Sequence, residues 1–369
     1  MTRPIHPLTG ADPVTLARLF AGNGAPRPRY LHSAAGMVAS ALLRSPNTLA
    51  ERAYVAAQAR RRARMPAPVF ILGHWRSGTT HLFNLLSSSP QFAYAPPVPT
   101  GIPWDFMLLG RALRPLLNRA VPSDRHIDAM AVTKSAPQED EIALASMTSP
   151  SFFHGIYFPR HLRRHMAAGL FFDGCEPHEI DRWKRALRLF TEKISMDQGD
   201  RQVLIKNPAH TAKIQQILEI WPEAKFVHIV RNPYHVYRST ERMFTLLLEM
   251  VALQNHDTGE LETAIRESYP RMMDQLAEDA RTLPPRQFVE VRYEDLDAAP
   301  LEELTRIVDS LALDGRDELL TNAKAHLDEV SGHRKAPPEV SETIIETVET
   351  HWSAQVAAWG YRQPGRADT

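Results

Sequence analysis

The stretch PVFILGHWRSGTTHL, Pro68 to Leu82, has the residue types and spacing of an anion cradle. Its apolar start, Pro68 to Leu72, reads as a buried strand, Gly73 to Gly78 as a loop, and Thr79 onward as the first turn of a helix. Backbone N–H groups of such a loop converge with a helix N-terminus that carries about half a positive charge, so a phosphate or sulfate is held there by the main chain. In the nucleotide triphosphatase pattern GxxxxGK[ST] a lysine follows the second glycine, but here Thr79 stands in that place. The basic residue lies inside the loop instead, as Arg76, whose guanidinium can fork two oxygens of one anion. That pattern holds an anion and departs from ATP with magnesium.

Three other segments carry residues of matching chemistry. In VLIKNPAHTAKI, Val203 to Ile214, a strand ends at Lys206, a proline turn follows, and then a helix containing His210 and Lys213. A lysine at a strand's carboxyl end points into a crevice, although in isolation it is equally an ordinary surface lysine. In KFVHIVRNPYHVYRST, Lys225 to Thr240, a strand ends at Val230, Arg231 emerges, Asn232 can cap and Pro233 takes the first helical position. Ser239, two turns into that helix, completes a second phosphate clamp with Arg231. In SAPQEDEIAL, Ser135 and Gln138 form a capping-box pattern, and Glu139, Asp140 and Glu141 load the helix's first turn with negative charge. Such clusters ordinarily complement the helix dipole. Near an anion cradle, a carboxylate makes sense as a general base for an acceptor hydroxyl.

The elements that must position these residues follow from hydrophobic patterning. Strands are predicted at Pro68 to Leu72, Gln202 to Ile205, Lys225 to Val230 and Gln287 to Val291, alternating with helical stretches. The expectation is an α/β fold: a P-loop-like parallel sheet flanked by helices, with ligands at the strands' carboxyl ends. Periodic apolar positions in DPVTLARLF and LHSAAGMVASALLR predict an N-terminal helical extension over residues 1–65, before a main domain over 66–369. Its closing run RRRAR, Arg60 to Arg64, reads first as a solvated helix end and second as a membrane or partner patch. The proline-rich segment Tyr94 to Pro103 reads as a rigid loop. PSFFHGIYF, Pro150 to Phe158, with Phe171 and Phe172, can form core or line an acceptor pocket, and Met243 to Leu253 can cover that pocket or form a dimer face.

Composition narrows the classes. The 43 basic and 43 acidic residues cancel, which leaves no global field drawing the chain towards nucleic acid or an anionic membrane, so any anion site is local. A single cysteine, Cys175, excludes an internal disulfide and a cysteine-rich zinc site and fits a reducing compartment. No apolar run is long enough to span a bilayer and the N-terminus lacks a signal-peptide core, so a cytoplasmic setting is expected.

With these residues in view, the chain resembles the sulfotransferase family, whose donor is 3′-phosphoadenosine 5′-phosphosulfate. GHWRSGTT resembles the family's 5′-phosphosulfate loop, which implies donor-binding roles for Arg76, Ser77, Gly78, Thr79 and Thr80. IVRNPYHVYRS resembles its 3′-phosphate motif, implying Arg231 and Ser239; VRYEDL implies Tyr293 near the adenine; SGHRKAP is a weaker match implying Arg334 and Lys335. Arg76 and His81 stand where the cytosolic small-molecule branch has a lysine and an aromatic residue, as in the arginine-loop branches that include bacterial enzymes. Lys206 matches the lysine of that branch's Lys-Thr-His turn, but Asn207 and Pro208 follow it. The resemblance therefore favours Glu139 or Glu141 over His210 as base. It implies in-line sulfuryl transfer, aided by Arg76 and Lys206 and without a metal, to a hydroxyl or amine of a small molecule, lipid or sugar. Peripheral membrane contact and a homodimer both stay open.

Competing classes make different demands. A small-molecule kinase needs the lysine after Gly78 and a strand-ending carboxylate for magnesium, where FVHIV runs into Arg231. A non-catalytic nucleotide-binding protein has no use for Arg76, Lys206 and Arg231 together. A metal hydrolase is suggested by His161 and His165 in HLRRH, which lacks the glutamate of HExxH.

Overall fold

The computed structural model describes residues 5–62, 65–120, 135–330 and 340–364. The chain divides into two compact units: Met1–Pro66 with Ala93–Val203 and Phe244–Glu260, and Ala67–Phe92 with Leu204–Met243 and Leu261–Thr369.

The first unit is helical. Helix α1, Pro13–Asn23, starts where the Asp12 side chain accepts the N–H groups of Val14 and Thr15, with proline at the first position, where a missing N–H costs nothing. Helix α2, Leu31–Ala59, buries Met37, Ala41, Thr48, Glu51 and Val55 along one face. Two buried charges fix that face. Glu51 pairs with Lys193 at 2.6 Å and accepts the N–H groups of Met107 and Leu108, while Arg44 pairs with Asp105, which also accepts from Thr48 at 2.7 Å. A buried ion pair survives desolvation only when its remaining lone pairs are satisfied in this way. The aromatic stretch makes core: Phe152 and Phe153 stack at 4.5 Å, and Phe153 stacks on Tyr157 at 5.8 Å. Phe244, within the helix Pro233–Val251, packs edge-on against Phe152 at 6.1 Å.

Two local expectations fail here. The segment Tyr94–Pro103 contains a short helix, Pro97–Gly101, because its leading prolines occupy first-turn positions that need no N–H donor. Ser135 and Gln138 do not open a helix: the Gln138 N–H is taken by the Ala95 carbonyl at 2.8 Å, and the helix is only Glu141–Leu144, with Asp140 at its N-cap. A tertiary backbone bond has overridden a local capping pattern.

The second unit holds most of the sheet, with Ala93, Gln202 and Val203 counted in the first. Strands β1 Val69–Leu72, β2 Phe92–Ala93, β3 Gln202–Lys206, β4 Lys225–Val230 and β5 Phe288–Arg292 take the order β2-β3-β1-β4-β5. The pairings β1 with β3, β1 with β4, and β4 with β5 are parallel. All four β1 residues are fully buried, as a central strand covered on both faces requires. β5 alternates, and its outward Glu290 accepts from His228 at 2.9 Å and from the Trp359 indole at 3.1 Å. Four of these strands match the predicted ones to within a residue or so. The two-residue β2 was not predicted, being too short for any periodicity. Because β1 lies between β3 and β4, the strand order reverses there, and parallel pairing brings three carboxyl ends to one side of the sheet.

Candidate functional site

The crevice at that reversal is lined from the main chain outward. β1 ends at Leu72, and helix α3, Thr79–Ser87, begins after Gly78 with no side-chain cap on its first turn. Its leading N–H groups therefore face the loop as donors, the arrangement that binds an anion. Both bounding glycines are required. Gly73 has φ 140° and Gly78 φ 100°; a Cβ on Gly78 would lie 2.3 Å from Tyr293 Cδ2, and one on Gly73 2.5 Å from the Ile229 carbonyl oxygen.

Arg76 adopts φ 69°, a left-handed conformation uncommon for a side chain with Cβ. Two contacts stabilise it. Its Nε donates to Ser239 Oγ at 2.8 Å, and its carbonyl accepts from Arg231 Nη1 at 3.3 Å. The expected 5′ and 3′ anion stations are thus joined through one arginine and one serine. Arg231 emerges after β4, and its guanidinium lies 4.1 Å from the centre of the Tyr293 ring, a cation–π contact that sets its plane. Asn232 caps the following helix by accepting the Tyr234 N–H at 3.2 Å. Lys206 ends β3 in register with Ile71 and is 2% exposed; its Nζ donates to Thr80 Oγ1 at 3.3 Å. Arg76, Ser77, Gly78, Thr79, Thr80, Lys206, Arg231, Ser239 and Tyr293 therefore belong to one unit.

The other expected residues have different local settings. His210 ends a 3₁₀ turn, Pro208–His210, and is fully buried with its ring edge-on to Phe70 at 5.7 Å; it serves the core and not the helix expected for it. Glu139 and Glu141 belong to the helical unit. Glu141 is fully buried and accepts Ser151 Oγ at 2.7 Å, whereas Glu139 is half-buried in irregular chain. Burial, with the Glu141 charge adding to it, pushes the Tyr157 phenol well above its ordinary value. Arg334 and Lys335 lie outside the described residues. His165 is buried and its ring nitrogen donates to Asn23 Oδ1 at 2.6 Å, while His161 closes a separate 3₁₀ turn.

Three supporting residues had no sequence signal. Thr211 Oγ1 accepts the Gly73 N–H at 2.9 Å and lies 3.2 Å from the Gly73 carbonyl oxygen; Thr240 Oγ1 donates to the Trp75 carbonyl at 3.2 Å. A hydroxyl in the turn after a strand looks the same whether it caps locally or braces a distant loop. The third is His74, whose ring sits edge-on against the stacked pair Tyr269, at 4.9 Å, and Trp352, at 6.1 Å, and donates through Nδ1 to the Trp75 carbonyl. Burial holds its imidazole down to about 3, against a smaller upward effect of that hydrogen bond.

Acid lability follows from His74. In the unfolded chain an imidazole takes its proton near pH 6.5, but in the folded one only near 3, so the unfolded state binds more protons between these values. Stability from this group is complete above about pH 6.5 and falls as pH drops, by roughly 2–3 kcal/mol at pH 4.5. Urea unfolding at pH 7.5 and 4.5 checks it; an unchanged midpoint would contradict the burial argument.

The strand order, cradle and uncapped helix define a P-loop-like α/β protein with an anion cradle at the carboxyl end of its central strand. Solved structures with this architecture include the sulfotransferase STF9 from Mycobacterium avium, at TM-score 0.66 and 17% identity over 87% of this chain and 85% of that one. The sulfotransferase STF1 from Mycobacterium tuberculosis H37Rv aligns at TM-score 0.62 and 15% identity, over 92% and 90% of the two chains. The family model described as "Sulfotransferase family" matches residues 68–318. The omega-hydroxy-beta-dihydromenaquinone-9 sulfotransferase Stf3 of Mycobacterium bovis and that of Mycobacterium tuberculosis are each 31% identical over 298 residues, covering 80% of this chain and 75% of theirs. The chain belongs to the sulfotransferase family, and its reaction is sulfuryl transfer.

Proposed function

We propose that the donor is 3′-phosphoadenosine 5′-phosphosulfate and that the acceptor is a hydroxyl on an apolar, lipid-like molecule. The observation that carries the donor is the Arg76 to Ser239 hydrogen bond at 2.8 Å, which ties the 5′ cradle to a second cationic station at Arg231. Two linked anion stations suit a nucleotide charged at both ends. The residues fit that group: the cradle has no room for a Cβ at Gly73 or Gly78, and arginines stand at both stations. The bound donor supplies an activated sulfuryl group on its 5′-phosphate. Ser77, Gly78, Thr79 and Thr80 would hold the 5′ end through loop and helix N–H groups; Arg231 and Ser239 would hold the 3′-phosphate, and Tyr293 would fix the plane of Arg231. Arg334 and Lys335 are proposed as further 3′-phosphate ligands.

Arg76 and Lys206 concentrate positive charge where negative charge grows during transfer, and a buried ammonium requires little reorganisation to act there. Glu141 is the proposed base. Its carboxylate is fully buried and oriented by Ser151, whereas Glu139 is half-buried in irregular chain. His210, held in the core, is the weakest candidate. A lipid-like acceptor rests on Stf3, whose name specifies a hydroxylated menaquinone, at 31% identity. Residues 66–369 are proposed as the sulfotransferase domain and 1–65 as an extension, since the family match falls within 68–318. The single Cys175 suits a cytoplasmic setting.

Thermal shift with 3′-phosphoadenosine 5′-phosphate and, separately, ATP with Mg²⁺ tests the donor. At a hundredfold excess over Kd the former should stabilise by about 2.7 kcal/mol, a rise of a few degrees. Stabilisation by ATP with Mg²⁺ alone would instead favour the kinase. For the base, Glu141→Gln should retain nucleotide binding and lose transfer about 10²–10⁴-fold, with Glu139→Gln close to wild type. The reverse ranking would move the role to Glu139, and two active glutamine variants with an inactive His210→Ala would return it to the histidine.

A further inference from the structure

Helix α2 buries one face and leaves the other apolar. Leu31, Val38, Leu42 and Leu49 recur at intervals of seven, four and seven residues, which puts them within about 20° of one line on a helix of 3.6 residues per turn. They are 51%, 40%, 59% and 66% exposed. Leu43, 82% exposed, widens the stripe, and Ala35, Ala53 and Ala56 extend it with nothing polar. The face is not a misplaced core, because the opposite side of α2 is anchored by the buried Glu51–Lys193 and Arg44–Asp105 pairs. Large aliphatic side chains in one exposed row mark an interaction site.

Charge selects the occupant. Residues 5–62 contain eight arginines, no lysine and two acidic residues. Both acids are used internally, Asp12 as the cap of α1 and Glu51 in its buried pair. Arg44 and Arg62 are engaged by Asp105 and Asp200, Arg52 lies over the Trp104 ring at 4.3 Å, Arg27 is half-buried, and Arg18, Arg29, Arg60 and Arg61 are exposed, on α1 or just beyond the two ends of α2. Leucines along one helix face between arginine-bearing ends, with no exposed carboxylate among the described residues of this segment, suit an apolar layer beneath anionic headgroups. No helix of the described residues is long and apolar enough to cross a membrane, so the geometry is that of a helix lying in the surface.

We infer that the outer face of α2 docks the protein on an anionic lipid surface, with Leu31, Val38, Leu42 and Leu49 entering the headgroup boundary. Helix α2 belongs to the helical unit and shares no residue with the proposed nucleotide site. It would bring the enzyme to a lipid-dissolved acceptor, and to that extent it extends the proposed function. Vesicle binding is measured without nucleotide or acceptor, so its failure and that of the donor assignment are distinguishable.

The test is co-sedimentation of the full chain with phosphatidylcholine vesicles and with vesicles containing phosphatidylglycerol, at low and high salt. The expected result is binding to the anionic vesicles, weakened by salt, and roughly tenfold or more weaker for Val38→Gln/Leu42→Gln/Leu49→Gln. Glutamine keeps helix propensity at exposed sites, and an unchanged circular dichroism spectrum and 3′-phosphoadenosine 5′-phosphate affinity would confirm that this variant folds. Absence of wild-type binding, or equal binding by the variant, overturns the inference. So does light scattering that finds a wild-type dimer and a monomeric variant, since the face would then be covered by a second copy.

Discussion

Lys206→Met should lower kcat by about 10²–10³-fold while changing the affinity for 3′-phosphoadenosine 5′-phosphate by only a fewfold. The magnitude is that of removing one preorganised electrostatic contact from a transition state, roughly 3–4 kcal/mol. Lys206 is suited to such a role because β3 delivers it, 2% exposed, beside β1, with Nζ 3.3 Å from Thr80 Oγ1 at the start of α3. A charge kept that far from water is stabilised most when negative charge appears beside it, and the transfer step supplies that charge. Methionine approximates the aliphatic stem, so packing around β3 is largely kept. Single-turnover rates and nucleotide Kd, measured on the same preparation, decide the matter. An equal loss in binding and rate would make Lys206 a ground-state ligand, and an unchanged rate would remove it from the mechanism.

Arg231→Ala should weaken 3′-phosphoadenosine 5′-phosphate by about 30–100-fold, the size of a lost charge-assisted contact to phosphate, and adenosine 5′-phosphosulfate by less than about threefold. The argument depends on position: Arg231 follows β4, lies over Tyr293 at 4.1 Å, and supports the carbonyl of Arg76, which itself reaches Ser239. Arg231→Lys provides the control. It keeps the charge but loses the planar fork and much of the stacking, so it should fall between wild type and alanine. Equal weakening of both nucleotides would mean that the residue supports the loop's shape and does not select the 3′-phosphate.

Much of this architecture was legible because it is written in short-range patterns. VFIL and KFVHIV are continuous apolar runs that only a strand covered on both faces can use, and both strands appear as expected. The Asn232-Pro233 helix start is a local capping rule, and the structure obeys it. Local rules failed where a distant partner competed. Gln138 gave its N–H to Ala95, leaving the capping pattern at Ser135 without a helix to cap, and His210 was drawn against Phe70 in the core. The prolines of Tyr94–Pro103 looked like loop residues, yet first-turn geometry makes use of a residue without a donor.

By itself the sequence determined the identity of the cradle, the strands that end beside it and the cations available to it, since each depends on residues within one turn or one strand. Only the tertiary structure decided which of them cooperate. Arg76 and Ser239 are separated by 163 positions in the chain, and their hydrogen bond holds a backbone conformation that Arg76 would rarely adopt alone. Thr211, Thr240 and the pair Tyr269 and Trp352 became braces of the loop for the same reason. Periodicity reports which face of an element is apolar; it carries no record of which distant side chain will meet that face once loop closure and burial have chosen the partners.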